Sequence, residues 1–262
     1  MEAEDKELLQ EIVGENPENA DSYNIRKNGK KIERKVNPNI NIISKEDNSG
    51  IDIYVKEDTL FGTVNIPVII TESGLKDVVY NDFHIGKNAN IIIVAGCGIT
   101  NNGHWDAQHD GIHRFYLEEG AKVKYIERHC GLGVGDGKKV LNPVTEIHMA
   151  KGSYMVMDTT QIKGVDDTIR TTKAELDSDA TLVITEKILT SKNQQAKTEF
   201  VVNLKGEGQV KAVPEIFAKN VDANLIHEAA IGKIAGEQLM KLMSLGLSEK
   251  EAEEVIVNGF LK

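Results

Sequence analysis

The chain has 262 residues, enough for one large β domain or for a large and a small one, and 40% of them are apolar, ample to fill a core. A formal charge of -10 argues against a nucleic-acid partner, two cysteines cannot build a disulfide framework, and no apolar run reaches the length that spans a bilayer. Aromatics make up 5% and there are 23 glycines, a balance that suits a stack of short strands better than an aromatic-rich sandwich.

The opening, Met1-Glu2-Ala3-Glu4-Asp5-Lys6, is acidic where a signal peptide is basic, so the expectation is a cytoplasmic protein with reduced thiols. Residues 4–13 have amphipathic helical spacing, with Leu8, Leu9, Ile12 and Val13 on one side and Gly14 and Asn16-Pro17 as the stop. Residues 16–50 are rich in Asn, Lys, Pro and Asp and read as a loose lead-in segment; the basic run Arg26 to Lys35 within it reads as a solvated loop flank.

From 51 to 226 short β-runs alternate with Gly, Asn and Asp turns, and no helical period appears. The segment around Phe83 to Ile91 recurs at Phe115 to Val123, Ile147 to Met155 and Ala174 to Leu182, with a last echo at Ile216 to Leu225. Its small anchor residues are Ala89, Ala121, Ser153, Ala180 and Ala223. One strand–turn–strand unit cannot bury its own apolar face, so the units must stack into a β-solenoid, a parallel β-helix. After residue 227 helical spacing returns at Gln238, Leu239, Leu242 and Met243, stopping at Gly246. Ser248-Glu249-Lys250-Glu251 then forms a capping box for a second helix. The expected organisation is 1–50 as N-terminal helix and lead-in, 51–226 as all-β solenoid core, and 227–262 as a small helical C-terminal domain.

Both cysteines and four histidines fall between Cys97 and Cys130. Thiolates and imidazoles are the donors that hold borderline transition metals, so Cys97, Cys130, His129, His109 and His113 are the candidate metal ligands. Small free cysteines are also common as inert core residues, and that reading stays open. A repeat of 32 residues puts Cys97, His129 and Gln161 in one column across neighbouring coils, and His84, Tyr116 and His148 in another. Adjacent strands lie roughly 5 Å apart, so Cys97 and His129 approach each other. Strand alternation sends His129 and Cys130 to opposite faces unless the glycines at 131, 133 and 135 loosen the segment into a loop. Those glycines lack the Lys-Ser/Thr and the following helix of a phosphate loop. His109 and His113 have i,i+4 spacing, but Gly111 and the β surroundings argue against a helical metal site.

The C-terminal residues carry a stronger signature. His227-Glu228-Ala229-Ala230-Ile231-Gly232-Lys233-Ile234, then Gln238-Leu239, then Gly246-Leu247 with Ala252, and finally Gly259-Phe260, resemble the terminal pattern of the SufB/SufD family. Val79 to Phe83, Gly96-Cys97-Gly98-Ile99, His109 to His113 and Thr160 to Val165 are similar to short members of that family, those of the SUF-like minimal system. The resemblance implies a right-handed parallel β-helix and a helical C-terminal domain that docks a SufC-type ABC ATPase. It implies a non-catalytic scaffold carrying a transient iron–sulfur cluster, working as a homodimer or with a SufB/SufD paralogue, and passing the cluster to recipient apo-proteins.

His227 matches the family histidine of nascent cluster assembly and Glu228 the acidic residue after it. Ile226 stands where SufB-type members have another glutamate, and the stretch Gly208 to Val213 lacks the cysteine that those members carry just before the proline matching Pro214. Cluster ligation therefore falls to Cys97, Cys130, His129, His227 and Glu228, or the chain is a non-ligating, SufD-like structural partner. An alternative from another class is a β-helix metal-dependent hydrolase or lyase, but such enzymes line an open groove with carboxylates and aromatics and this chain has one Trp.

Overall fold

A computed structural model describes residues 3–14, 16–190, 193–205, 208–218, 236–252 and 255. It divides into two compact units, residues 1–223 and 224–262.

The first unit is a β-solenoid of about five turns. Helix α1 (Ala3–Val13) leads it and ends on Gly14, whose φ of 83° is the left-handed conformation that stops a helix. Strands β1 (Ser22–Lys27), β2 (Lys30–Lys35) and β3 (Ile40–Ser44) follow. The coils are then built pairwise: β4 (Gly50–Val55) with β5 (Leu60–Ile70), β6 (Lys76–Ile85) with β7 (Asn90–Thr100), and β8 (Ala107–Leu117) with β9 (Lys122–Leu132). They continue with β10 (Lys139–Leu141) and β11 (Val144–Met149) leading to β12 (Tyr154–Lys163), β13 (Asp167–Leu176) with β14 (Thr181–Thr190), and β15 (Gln195–Leu204) with β16 (Gln209–Ala218). The second strands stack in parallel into sheet A, ordered β16-β14-β12-β9-β7-β5-β1-β2, and the first strands into sheet B, ordered β10-β13-β11-β8-β6-β4-β3 with β15 against β13; only the leading pairs β1–β2 and β3–β4 are antiparallel among the described strands.

The turn between the two sheets explains the repeat. Asn88, Gly120, Gly152 and Asp179 all have φ between 57° and 69°. This is the region that Gly tolerates freely and Asn and Asp enter most readily among the rest. The residue after each is the anchor: Ala89, Ala121, Ser153 and Ala180 are at most 1% exposed, where a larger side chain has no room. Each anchor N–H closes its own turn, as in Ala89 N to Gly86 O at 3.1 Å, and each anchor carbonyl accepts from the next coil, as in Lys122 N to Ala89 O at 2.7 Å.

Two expectations change. The next register after Ala180 is not at Ala223: Thr181 pairs with Gln209, and Gln209 N donates to Ala180 O, so Gly208 takes the anchor position. The remainder of the expected last echo, residues 219–225, lies outside the described residues. The lead-in segment is not loose either. Arg26 to Lys35 is a β-hairpin turned by Asn28 and Gly29, both at positive φ, and its outer strand β2 ends sheet A with the charged sequence Lys-Lys-Ile-Glu-Arg-Lys. Charged side chains on an edge strand discourage further pairing.

In the second unit, α2 (Gly236–Ser244) stops before Gly246, whose φ is 97°. The capping box is formed: Glu251 accepts from Ser248 N at 2.8 Å and Ser248 Oγ at 2.7 Å, and Glu251 N donates back to Ser248 Oγ at 3.3 Å. Among the described residues no helix is long and apolar enough to cross a membrane.

Candidate functional site in the solenoid interior

Sheet A has two buried faces where Cys97 and Cys130 lie. Alternation along β7 turns Cys97 inward, against Val68, Ile99, Ala107 and Leu141. Gly96 and Gly98 turn outward, and both are covered by α1: a Cβ at Gly98 would lie 2.3 Å from Leu8 and one at Gly96 2.9 Å from Ile12. Across the ladder Gly98 faces Cys130, which packs with Leu8, Leu9, Ile12, Val13 and Ile69 under the same helix. His129, one residue earlier, points inward beside Cys97. The strand stays extended through both residues, so the two thiols lie on opposite faces of sheet A and share no site within one chain.

The interior itself is divided. Near the anchor turns it is apolar, with Phe83 stacked on Phe115 at 4.3 Å and Ile91, Ile93, Val123, Met155 and Ile184 around them. Towards the other end of the coils the inward positions turn polar. Ala95, Glu127, Thr159 and Glu186 form one column across sheet A, and Cys97, His129 and Gln161 the next. From sheet B, β8 turns His109, Gly111 and His113 inward, and β13 turns Arg170 inward. Cys97, His109, Gly111, His113, Glu127 and His129 line a cavity of about 10 Å³, room for about one water molecule.

The hydrogen bonds fix the protons. Arg170 bridges the two carboxylates, through Nη1 to Glu127 and through Nε to Glu186 at 2.8 Å. Its Nη2 also lies 3.2 Å from His129 Nδ1; a guanidinium only donates, so Nδ1 is the acceptor and His129 carries its proton on Nε2, towards Glu127. Tyr125 donates to Glu127 at 3.0 Å, so its oxygen accepts from His113 Nδ1 at 2.6 Å. Asp77, held by Arg26 at 2.9 Å, accepts from His109 Nδ1 at 3.1 Å.

The charges follow. Burial alone would raise the Glu127 carboxyl, but Arg170 and the neighbouring histidines hold it well below the usual range. Burial pushes His113 down to about 4 and lowers His129 as well, so both rings are neutral. Desolvation opposes ionisation of Asp77, yet its bonds from His109 and Arg26 hold it at about 2. Burial raises the Cys97 thiol well above its ordinary value and Cys130 to about 11, so both are protonated.

Of the candidate residues, Cys97, His129, His109 and His113 therefore meet around one cavity, Cys130 faces α1, and His227 and Glu228 lie outside the described residues. Among the described residues no group of three His, Cys, Asp or Glu side chains is placed so that it could hold a metal ion. Glu127, Arg170, Asp77 and Tyr125 belong to the site and were not singled out from the sequence. The parity of Glu127 with Val123 and Tyr125 was the available signal. The second column expected from the repeat is present but serves another purpose. His84, Tyr116 and His148 stack on the outer face of sheet B, with centroids 5.1 and 5.2 Å apart, and Tyr54 extends the ladder at 4.7 Å.

Comparison with known proteins bears on what such an interior is for. Residues 192–260 match the family model for the SufBD core domain of the SUF iron–sulfur cluster assembly system. An iron–sulfur cluster assembly SufBD family protein of Methanothermobacter thermautotrophicus (strain Winter) is 26% identical over 236 residues, which is 74% of this chain and 57% of the relative. One of Methanocaldococcus jannaschii is 23% identical over 238 residues, 73% of this chain and 74% of the relative. One of Pyrococcus horikoshii is 48% identical over 58 residues, 22% of this chain and 18% of the relative. The chain spans little more than half the length of the Methanothermobacter relatives, 57% and 53%. The core-domain match over residues 192–260 and the relatives that align along most of the sequence make this chain similar to iron–sulfur cluster assembly SufBD family proteins.

Proposed function

We propose that the chain is a scaffold subunit for iron–sulfur cluster assembly, working with a SufC-type ABC ATPase and catalysing no covalent turnover itself. The observation that carries this reading is the SufBD core match over 192–260, which contains the ordered His227-Glu228 to Gly259-Phe260 signature. In this reading the helical residues after 227 dock the ATPase, and ATP-driven pairing of that partner deforms the scaffold. The cluster is cargo. Because Cys97 and Cys130 face opposite sides of sheet A, one chain does not hold it between its two thiols. We assign nascent cluster binding to His227 and Glu228, completed by donors of a second chain, either another copy or a SufB/SufD paralogue, before transfer to recipient apo-proteins.

Anaerobic reconstitution with iron and sulfide, on the chain alone and with its ATPase, tests the proposal. Sulfide-to-iron charge-transfer absorbance in the complex, lost in His227→Ala and kept in Cys130→Ser, is the expected result; no absorbance in either sample contradicts it. The placement of the thiols favours one second reading, a non-ligating, SufD-like partner that shapes the complex. That reading predicts an ATPase that co-purifies with the Cys97→Ser/Cys130→Ser variant but not after removal of residues 227–262, with no cluster in any sample.

A further inference from the structure

The outer face of sheet B carries a column of rings that stops short. Strand pairing puts Tyr54, His84, Tyr116, His148, Glu175 and Asn203 at equivalent places on neighbouring strands. The first four stack face to face, with centroids 4.7, 5.1 and 5.2 Å apart and planes within 9° of parallel. That spacing is the distance between adjacent strands, so each coil supplies one rung. The fifth rung has no ring. Glu175 stands there, its carboxylate 3.7 Å from His148 Nδ1, too far for a hydrogen bond, and both side chains are half-exposed. A groove of about 310 Å³ opens at this place, lined by Tyr116, Glu118, His148, Glu175, Asp177 and Lys205. Glu118 already accepts from Lys87 N, and Asp177 from Ser178 N. Among the described residues Glu175 is therefore the groove carboxylate without a hydrogen bond.

We infer that this groove docks an arginine side chain of a partner protein, whose guanidinium takes the fifth rung, stacked on His148 and paired with Glu175. A guanidinium is planar, permanently charged, and presents its N–H donors as a fork in its own plane, so one group answers both the open ring face and the carboxylate. A lysine ammonium offers neither plane nor fork. A neutral aromatic ring would stack but leave Glu175 unpaired. Charge favours a cation as well: Glu118, Glu175 and Asp177 outnumber Lys205 in the groove, on a chain of net charge -10. An exposed ion pair alone adds little affinity, so the ring face and the groove walls are what make the site selective. Tyr116, stacked on the other face of His148, holds that ring parallel to the incoming plane, which lowers the ordering cost of binding. The inference concerns the solenoid surface and stands apart from the scaffold reading.

The test uses full-length protein isotope-labelled at its histidine rings, with neither iron, sulfide nor ATPase present, titrated with the tripeptide acetyl-Gly-Arg-Gly-amide and followed by NMR. His148→Ala assigns the signal. The expected result is a saturable shift of the His148 ring. His104, exposed beside Asp136, registers plain attraction to acidic surface and should show no saturable shift. Acetyl-Gly-Lys-Gly-amide should bind at least about fivefold more weakly, for want of a plane to stack. Glu175→Gln, a change at a half-exposed position, should weaken the arginine peptide about tenfold, as loss of a charge-assisted hydrogen bond does. His148→Leu should weaken it as well, read from saturation transfer to the peptide. No saturable shift at His148 overturns the inference. So does an equal response to the lysine peptide, an equal response at His104, or one that Glu175→Gln leaves intact, each of which marks charge attraction without a site.

Discussion

The two halves of the solenoid interior are built from the same strands and the same coils, yet they are chemically opposite. On the anchor-turn side the inward positions are Phe83, Phe115, Ile91, Val123 and Met155, which need nothing beyond close packing. On the far side the inward positions include Asp77, His109, His113, Glu127, His129 and Arg170, each with a named partner, beside a smaller apolar cluster of Val68, Ile70, Ile99 and Leu141. A buried ion pair seldom stabilises a fold more than well-packed apolar residues do. The comparison teaches that the apolar half needs only close packing, whereas the polar half holds together only where each buried charge meets its partner across the two sheets.

The sharpest way to break this contrast is Arg170→Ala. It leaves Glu127 and Glu186 buried without their cation, and urea unfolding should show a loss of about 3–5 kcal/mol. Replacing the trio together, Arg170→Met with Glu127→Gln and Glu186→Gln, should recover most of that loss. If the trio variant is as unstable as Arg170→Ala, the loss does not come from unpaired charge.

Acid separates the halves next. The folded-state value of His113 is about 4 against an ordinary 6.5, because burial disfavours its charged form. The unfolded chain therefore binds more protons between these values. The stabilisation is complete above pH 6.5 and is lost as pH falls towards 4, by about 3 kcal/mol. His129 moves in the same direction, and Glu127 adds a further loss below its ordinary range. Unfolding of metal-free protein followed from pH 7 to 4 should show this slope, reduced in His113→Phe. A flat profile would mean that the interior histidines are not held neutral.

On the apolar side, Met155→Ala should cost about 2–5 kcal/mol with no dependence on pH over the same range, since a cavity there alters packing alone. The smallest effect concerns the two thiols. Cys97→Ala and Cys130→Ala should each change stability by about 1 kcal/mol, but alkylation distinguishes them. Both thiols are slow because they are buried and protonated, and Leu8→Ala, which opens the cover formed by α1, should accelerate Cys130 and leave Cys97 unchanged.

Much of the fold was legible because turns and registers are local. The small anchors after Asn, Gly or Asp gave the coil, and a spacing of 32 brought Cys97 beside His129 as the ladder shows. The same regularity misled at Ala223, because the coils shorten after Ser153 and a fixed echo no longer marks the register. The hairpin at Asn28-Gly29 was written in its turn residues but obscured by the charges around it. The polar interior was only half legible. His109 and His113 announced themselves as residue types, whereas Glu127 and Arg170 look like ordinary surface charges in alternating strands until both sheets are closed around them. No property of one strand reveals that Arg170 of sheet B reaches Glu127 of sheet A.

The central claim, the proposed role as a scaffold for iron–sulfur assembly, is tested most directly by the iron and acid-labile sulfide content of the protein purified without oxygen, alone and with the proposed SufC-type ATPase. The account predicts iron and sulfide together in the complex, lost in His227→Ala and retained in Cys130→Ser. Neither iron nor sulfide in the complex would contradict it.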